Sequence, residues 1–326
     1  MGPPSPDADT RQCAIEEGKA MDAQFRGVFA IPVTPFDRHG AVDEAALRRV
    51  VAFTLACGAH GLVAPVNASE FSSLSDAERQ RVAEIVVEEA AGRVPVVIGV
   101  SGVSTEVAVQ FARHARAIGA DAIIALPPYV RRASPEEISA YYAALDRAFA
   151  GPIFIQNCLP PVGTPLSADL LARLVRDLDH VQYIKEETLP PGQMITRVRE
   201  LAGPALQGVM GGLAGKFLLD EYRRGACGTM PACEVVDIHV QIWEALEAGD
   251  WTRARALHTR LLPLLVFESN FGVAAYKEVL RRRGVLECTY VRAPGTPRLD
   301  AYDQAELQAI LEDLAPLFRQ PAPHPA

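Results

Sequence analysis

Short, continuously apolar runs alternate along this chain with longer segments in which apolar residues recur at helical spacing. The runs lie at 28–33, 61–66, 94–100, 122–126, 152–156, 181–185, 205–210 and 228–231. Each of the first seven leads into a helical pattern, such as Leu47, Val50, Val51 and Thr54, or Val107, Val109, Phe111, Ala112 and Ala115. Ser75, Ser104, Ser134 and Ser167 precede acidic first turns and mark helix starts. Strands this short and this uniformly apolar are buried on both faces, as parallel strands beneath helices are. Eight such units predict an α/β fold, a (β/α)8 TIM barrel, over residues 23–232. An open doubly wound sheet is the competing arrangement, but no run leads into a glycine-rich dinucleotide turn.

Beyond the eighth run, 235–248, 250–267, 271–283 and 303–318 carry helical patterns and predict a C-terminal helical region over 233–319. Residues 1–22 and 320–326 are polar, proline-rich and aperiodic, and are expected to be disordered.

Composition narrows the function. With 326 residues, 49% hydrophobic and 22% charged, the chain can bury a large core. A net charge of -8 and the lack of a Lys/Arg block argue against a nucleic-acid partner. Arg281, Arg282 and Arg283 are expected to form a solvated helix end. The six cysteines show no CxxC pair and no zinc-type spacing, so no metal site is expected of them and a reducing compartment suits them; no cofactor is expected either. No apolar stretch reaches the roughly 20 residues that a membrane span needs. The start lacks a signal-peptide layout, so the expected location is cytoplasmic.

In such barrels, chemistry sits at the carboxyl ends of the strands. Those positions are Thr34, Asn67 to Glu70, Ser101, Pro127 to Tyr129, Gln156, Asn157, Lys185 to Glu187, Gly211, Gly212 and Met230. Lys185 is the single lysine among them. A lysine there either pairs with a flanking glutamate or, where burial disfavours its charge, attacks a carbonyl to form a Schiff base.

From Phe25 to about Phe318 the chain carries an ordered series of blocks: GVFAIPVTPF, SEFSSLSDAER, GRVPVVIGVSGVST, GADAIIALPPY, GPIFIQN, VQYIKEET, RRGACGTM, and ESNFG followed by Tyr276 and Lys277. In these it resembles the dihydrodipicolinate synthase/N-acetylneuraminate lyase family of class I Schiff-base lyases. The resemblance implies a TIM barrel, a 2-oxo acid substrate, a homotetramer built from dimers, and Lys185 as the imine-forming lysine.

The chain also departs from the usual pattern. The Gly-Thr-Thr-Gly-Glu loop that typical members carry after the second strand reads Val66-Asn67-Ala68-Ser69-Glu70 here, so both threonines are gone and Glu70 is retained. Gln156 stands where typical members carry the proton-transferring tyrosine, Val130 where a tyrosine reaches across a dimer interface, and Pro161 where synthases hold the aldehyde's carboxylate with arginine. An amide has no proton to exchange at neutral pH, so Gln156 cannot replace a phenol as acid or base. Dihydrodipicolinate synthesis itself is therefore not expected. Asn67 to Glu70, the segment from Gln156 to Ser167, and Lys185-Glu186-Glu187-Thr188 are instead similar to the L-2-keto-3-deoxyarabonate dehydratase branch.

The resemblance implies attack of Lys185 on the C2 carbonyl of a 2-oxo acid, followed by loss of a C3 proton and then of the C4 hydroxyl. The same imine also serves retro-aldol release of pyruvate; deamination of a hydroxy-pyrroline carboxylate, from a related branch, and 2-oxo acid binding without turnover are the further alternatives. Glu187, two residues beyond the lysine, is the candidate for proton transfer, with pairing to a surface arginine as its alternative. Asn67, Ala68 and Ser69, at the start of the following helix, are expected to form an anion-binding turn for the carboxylate, though Ser69 alternatively serves as a helix cap. Glu70 reads as a structural tie. Gln156 and Asn157 are candidates for substrate hydroxyls, Gly211 and Gly212 for close backbone approach, and Tyr129 for a neighbouring pocket. None of the seven histidines falls on the rim, and none receives a role.

Overall fold

The computed structural model describes residues 25–159 and 164–319. Eight parallel strands close into a barrel in sequence order: β1 (Gly27–Ala30), β2 (Gly61–Ala64), β3 (Val96–Gly99), β4 (Ala122–Ala125), β5 (Ile153–Cys158), β6 (Val181–Glu187), β7 (Gly208–Gly211) and β8 (Gly228–Thr229). Closure comes from β1 and β8, with Gly27 beside Gly228 and Val28 beside Thr229. The helices between strands are α1 (Glu44–Ala56), α2 (Asp76–Ala90), α3 (Thr105–Ala117), α4 (Pro135–Phe149), α5 (Ala168–Asp177), α6 (Pro191–Ala202) and α7 (Leu218–Arg223). This is the (β/α)8 arrangement that the alternating pattern predicts.

All four serines cap their helices. The hydroxyls of Ser75, Ser104, Ser134 and Ser167 accept from the backbone N–H of Glu78, Val107, Glu137 and Leu170. At Ser75 and Ser134 the glutamate reaches back to the cap, satisfying two helix-end donors at once. The strands differ from expectation mostly at their ends. β5 and β6 run two residues further than predicted because Asn157 and Cys158 continue the pairing with Glu186 and Glu187. That extension carries the chemistry-bearing side chains on regular strand rather than loop.

The barrel interior is filled by Phe29, Val63, Val97, Ile124, Phe154, Tyr183 and Met210. Phe25, just ahead of β1, closes the amino-terminal end, its ring 5.2 Å from Tyr183 and 5.6 Å from Phe154. Because successive strand residues point to opposite faces, inward Tyr183 places Lys185 and Glu187 inward at the other end. Inward Phe154 does the same for Gln156.

The C-terminal region forms α8 (Val236–Glu247), α9 (Trp251–Phe271), α10 (Val273–Arg282) and α11 (Ala301–Leu314). Gly272, at φ 50, breaks α9 from α10 in a conformation that favours glycine. A second apolar core joins these helices to α1 and β1 through Val28, Val50, Trp243, Leu261, Leu265, Val279 and Leu311. The arginine cluster at the end of α10 corrects the expectation of a solvated helix end. Arg283 is buried, its guanidinium pairing with Asp237 at 2.8 Å and lying over the Phe53 and Phe318 rings. Arg281 and Arg282 both bond Glu278, and only Arg281 is largely exposed. The expectations for 1–22, for Pro161 and for 320–326 lie outside the described residues. Among the described residues, no helix is long and apolar enough to cross a membrane.

Candidate active site

At the carboxyl end of the barrel lies a cavity of about 360 Å³, within the range typical of small-molecule sites. Strand ends supply Lys185, Glu187 and Met230. The loop after β2 supplies Asn67 and Ala68, the turn after β7 supplies Leu213, Ala214 and Lys216, and the C-terminal helices supply Glu268, Ser269 and Tyr276. A larger cleft of about 610 Å³ lies elsewhere, lined by Arg38, Cys288, Tyr290 and Arg298. It contains no strand-end side chain, so the smaller cavity is the candidate for chemistry.

Lys185 is 3% exposed, and its ammonium sits 3.1 Å from Glu187 Oε1. Lys185 thus pairs with a flanking glutamate and also lines the cavity. The partner of Glu187 is this lysine rather than a surface arginine. Gln156 Nε2 donates to Glu187 Oε2 at 2.7 Å, and the Leu213 N–H donates to Oε1 at 3.3 Å. Three donors from β5, β6 and the β7 turn therefore orient one carboxylate. Gly212 makes this possible, because a Cβ there would lie 2.3 Å from Glu187 Cγ.

The other expected site residues divide by strand face. Asn157 and Glu186 point outward into the helix layer, where Asn157 Nδ2 donates to Glu186 Oε2 at 2.8 Å and Asn157 Oδ1 accepts from the Leu166 N–H at 2.7 Å. Burial pushes the Glu186 carboxyl above its ordinary range, while bonds from Thr188 and Asn157 oppose the shift. Asn157 therefore holds the β5 to α5 connection and does not line the cavity. Gly211 also faces outward. Its missing Cβ would lie 1.9 Å from Glu221 Oε2, so the glycine makes room for a buried carboxyl and not for substrate.

Asn67, Ala68 and Ser69 do not open α2. They form a three-residue 3-10 turn ended by Glu70 in a left-handed conformation, φ 56, and α2 begins only at Asp76. Asn67 and Ala68 reach the cavity, and Asn67 Oδ1 is buried with no protein donor among the described residues. Ser69 is neither a cap nor a cavity residue. Its hydroxyl donates to Pro32 O and its carbonyl accepts from Thr34, both at 2.7 Å, tying the β2 loop to the β1 loop. Glu70 accepts from Lys277 at 2.5 Å, from the Arg292 N–H at 2.8 Å and from the Ala293 N–H at 2.7 Å. Tyr129 lies outside the cavity lining and packs edge-on against Phe71, with ring centres 5.7 Å apart.

Sequence reasoning missed Lys216, Glu268, Ser269 and Tyr276. Lys216 donates to Ser269 Oγ at 2.8 Å, bridging the β7 turn to α9. His239 and His258, which received no role, donate to Ala214 O and Gly215 O and pin that same turn. Burial holds His239 down to about 4, so it stays neutral at physiological pH. One signal for Glu268 was legible. It occupies the apolar stripe of α9 set by Leu261, Leu264 and Leu265, where an acid needs an explanation.

Comparisons with known proteins agree with this fold. The dihydrodipicolinate synthetase family model matches residues 24–314. An Azospirillum brasilense protein named L-2-keto-3-deoxyarabonate dehydratase is 34% identical over 298 residues, covering 90% of this chain and 96% of its own. A Phenylobacterium zucineum protein named 4-hydroxy-tetrahydrodipicolinate synthase is 40% identical over 296 residues, covering 90% and 98%. The crystal structure of dihydrodipicolinate synthase from Rhodopseudomonas palustris superposes with a TM-score of 0.82 at 27% identity, covering 90% of this chain and 98% of that one. The chain therefore belongs to the dihydrodipicolinate synthetase family, whose members are lyases.

Proposed function

We propose that this protein is a hydro-lyase that forms a Schiff base between Lys185 and a 2-oxo acid and dehydrates a 2-keto-3-deoxy sugar acid. The observation that carries the reading is the Gln156, Glu187 and Lys185 cluster at the cavity floor. An ammonium must lose a proton before it can attack, and Glu187 Oε1 at 3.1 Å is the acceptor within reach. The amine then adds to C2, Glu187 returns that proton to the carbinolamine hydroxyl, which leaves as water, and the protonated imine draws electrons from C3. Glu187 accepts the C3 proton, and the enamine expels the C4 hydroxyl. Gln156 holds the carboxylate between these steps without exchanging protons. Asn67 Oδ1 is an acceptor for a substrate hydroxyl, since no protein group among the described residues donates to it.

Retro-aldol cleavage would use the same imine, so the products decide between the two. Borohydride reduction in the presence of pyruvate is expected to add mass to the peptide containing Lys185. Turnover of 2-keto-3-deoxy-L-arabonate should then yield a 2-oxo semialdehyde. Pyruvate as product would replace dehydration by aldol cleavage, and absence of any Lys185 adduct would sink the imine. Glu187→Gln should lower kcat about 10²- to 10⁴-fold, the usual span for a lost acid or base, while circular dichroism stays unchanged. Gly212→Ala should lower kcat about 10²-fold by pushing the Glu187 side chain aside. Steady-state kinetics on the two variants measures both effects.

A further inference from the structure

Dehydration needs an acid as well as a base, because hydroxide is a poor leaving group and Glu187 is already assigned to accept protons. The cavity wall contributed by α9 contains Glu268, 2% exposed, and behind it Glu234, 1% exposed, in the segment between β8 and α8. Among the described residues, none of their four buried carboxyl oxygens has a hydrogen-bond partner of good geometry, and only the Glu234 backbone N–H lies close enough to favour the Glu234 carboxylate. The two carboxyls interact with one another across this buried contact, closely enough to share a hydrogen bond once one of them carries a proton. Such a bond requires a proton on one of them, and two bare carboxylates in contact inside a protein would repel.

We propose that Glu234 and Glu268 hold one proton between them and that Glu268 delivers it to the departing C4 hydroxyl of the substrate. This rests on the Schiff-base reading of Lys185. In the step, the C3–H bond breaks and its proton passes to Glu187. The C4–O bond then breaks with its electron pair on oxygen, and that oxygen takes the Glu268 proton and leaves as water. The proton on Glu187 returns to the carboxyl pair through water, which closes the cycle without oxidant or cofactor. The assignment separates the two roles in space, with the base on β6 and the acid on α9.

The charged and titratable groups around the pair come from several elements. Lys216 faces Glu268 from the β7 turn, and Tyr276 of α10 lies near both carboxyls and Glu187. Arg283 donates to the Glu234 backbone carbonyl at 2.6 Å and to Asp237 Oδ2 at 2.8 Å, and its charge acts to lower the Glu234 carboxyl. Cys233 and Asp237 are the remaining neighbours of Glu234. Desolvation raises both carboxyls, Glu234 to about 7 and Glu268 well above the ordinary carboxylate range. Lys216 acts in the opposite sense on Glu268. An acid that must be protonated to act supports turnover below the pair's titration, so kcat falls as pH rises through it.

Glu268→Gln and Glu234→Gln preserve shape and test the proposal on the whole protein. Glu268→Gln is expected to lower kcat for 2-keto-3-deoxy-L-arabonate about 10²- to 10⁴-fold while pyruvate still traps on Lys185 to the wild-type extent. In Glu234→Gln the new amide donates to the Glu268 carboxylate and favours its ionised form, so the alkaline limb of kcat should move to lower pH. A residue that merely packs would leave that limb in place. Infrared titration of the substrate-free wild type should show a carboxyl proton retained above the ordinary carboxylate range and lost in the double variant, a readout needing no turnover. An ionised pair with the Lys185 adduct intact would overturn the shared proton and leave the imine standing. A protonated pair without any Lys185 adduct would overturn the delivery step through the imine itself. Glu268→Gln turnover within about threefold of wild type would overturn Glu268 as the acid.

Discussion

Lys185→Ala is expected to abolish turnover, by about 10⁴-fold or more, and to remove the borohydride-trapped adduct with every 2-oxo acid tested. The size of the loss follows from the chemistry, because every later step needs the imine as its electron sink. Methyl at this position leaves no nucleophile on the strand end. Lys216, the second lysine lining the cavity, is held by its bond to Ser269 of α9. Lys216→Ala should therefore still trap pyruvate on Lys185, and an adduct that disappears with Lys216 instead would reassign the nucleophile. Glu187 retains Gln156 and the Leu213 N–H when the lysine is gone, so the barrel should still fold. Mass analysis of the reduced protein and a circular dichroism spectrum check the two halves of this expectation.

Lys277→Met is expected to destabilise the protein by about 3–5 kcal/mol, the cost of stripping one partner from a buried ion pair. Both side chains of the Lys277 and Glu70 pair are fully buried, with 2.5 Å between the charged atoms. Burial lowers the Lys277 ammonium, and the Glu70 charge opposes that shift. Removing the lysine leaves the Glu70 carboxylate with only the Arg292 and Ala293 N–H groups, and it also empties the acceptor role of Tyr290 O. The double variant Lys277→Met with Glu70→Leu should recover part of the loss, because no uncompensated charge remains inside. Urea denaturation measures both values, and a single variant as stable as wild type would contradict the buried-pair argument. The pair also anchors the turn that presents Asn67 and Ala68 to the cavity, so KM for the 2-oxo acid should rise in the single variant.

Much of the site was legible because strand identity and strand-end position are local properties. The apolar run ending at Lys185 marks both the strand and the rim, and a two-residue period then places Glu187 on the same face. That period also separates Gln156 from Asn157, and Lys185 from Glu186. Treating both members of the Gln156 and Asn157 pair as substrate contacts ignored it. The structure turns one of each pair toward the barrel interior, where Lys185 lines the cavity and Gln156 bonds Glu187, and the other into the helix layer. The loop at Asn67 was harder to read, because Ser69 is a residue type that caps helices and a helical segment follows. Glu70 turns the chain left-handed there to reach Lys277, a partner supplied from α10.

By itself the sequence determined the barrel, its helix caps, the C-terminal helices and the rim lysine with its neighbouring glutamate. Each of these depends on spacing and burial within one or two adjacent elements. The tertiary structure alone decided which rim residues share a cavity and what covers it. Lys216, Glu268 and Tyr276 meet Lys185 only because the second apolar core packs α9 and α10 over the strand ends. The shared proton proposed for Glu234 and Glu268 has the same origin. Two acids distant in sequence become neighbours inside a low-dielectric core, and their interaction arises only once both have left water.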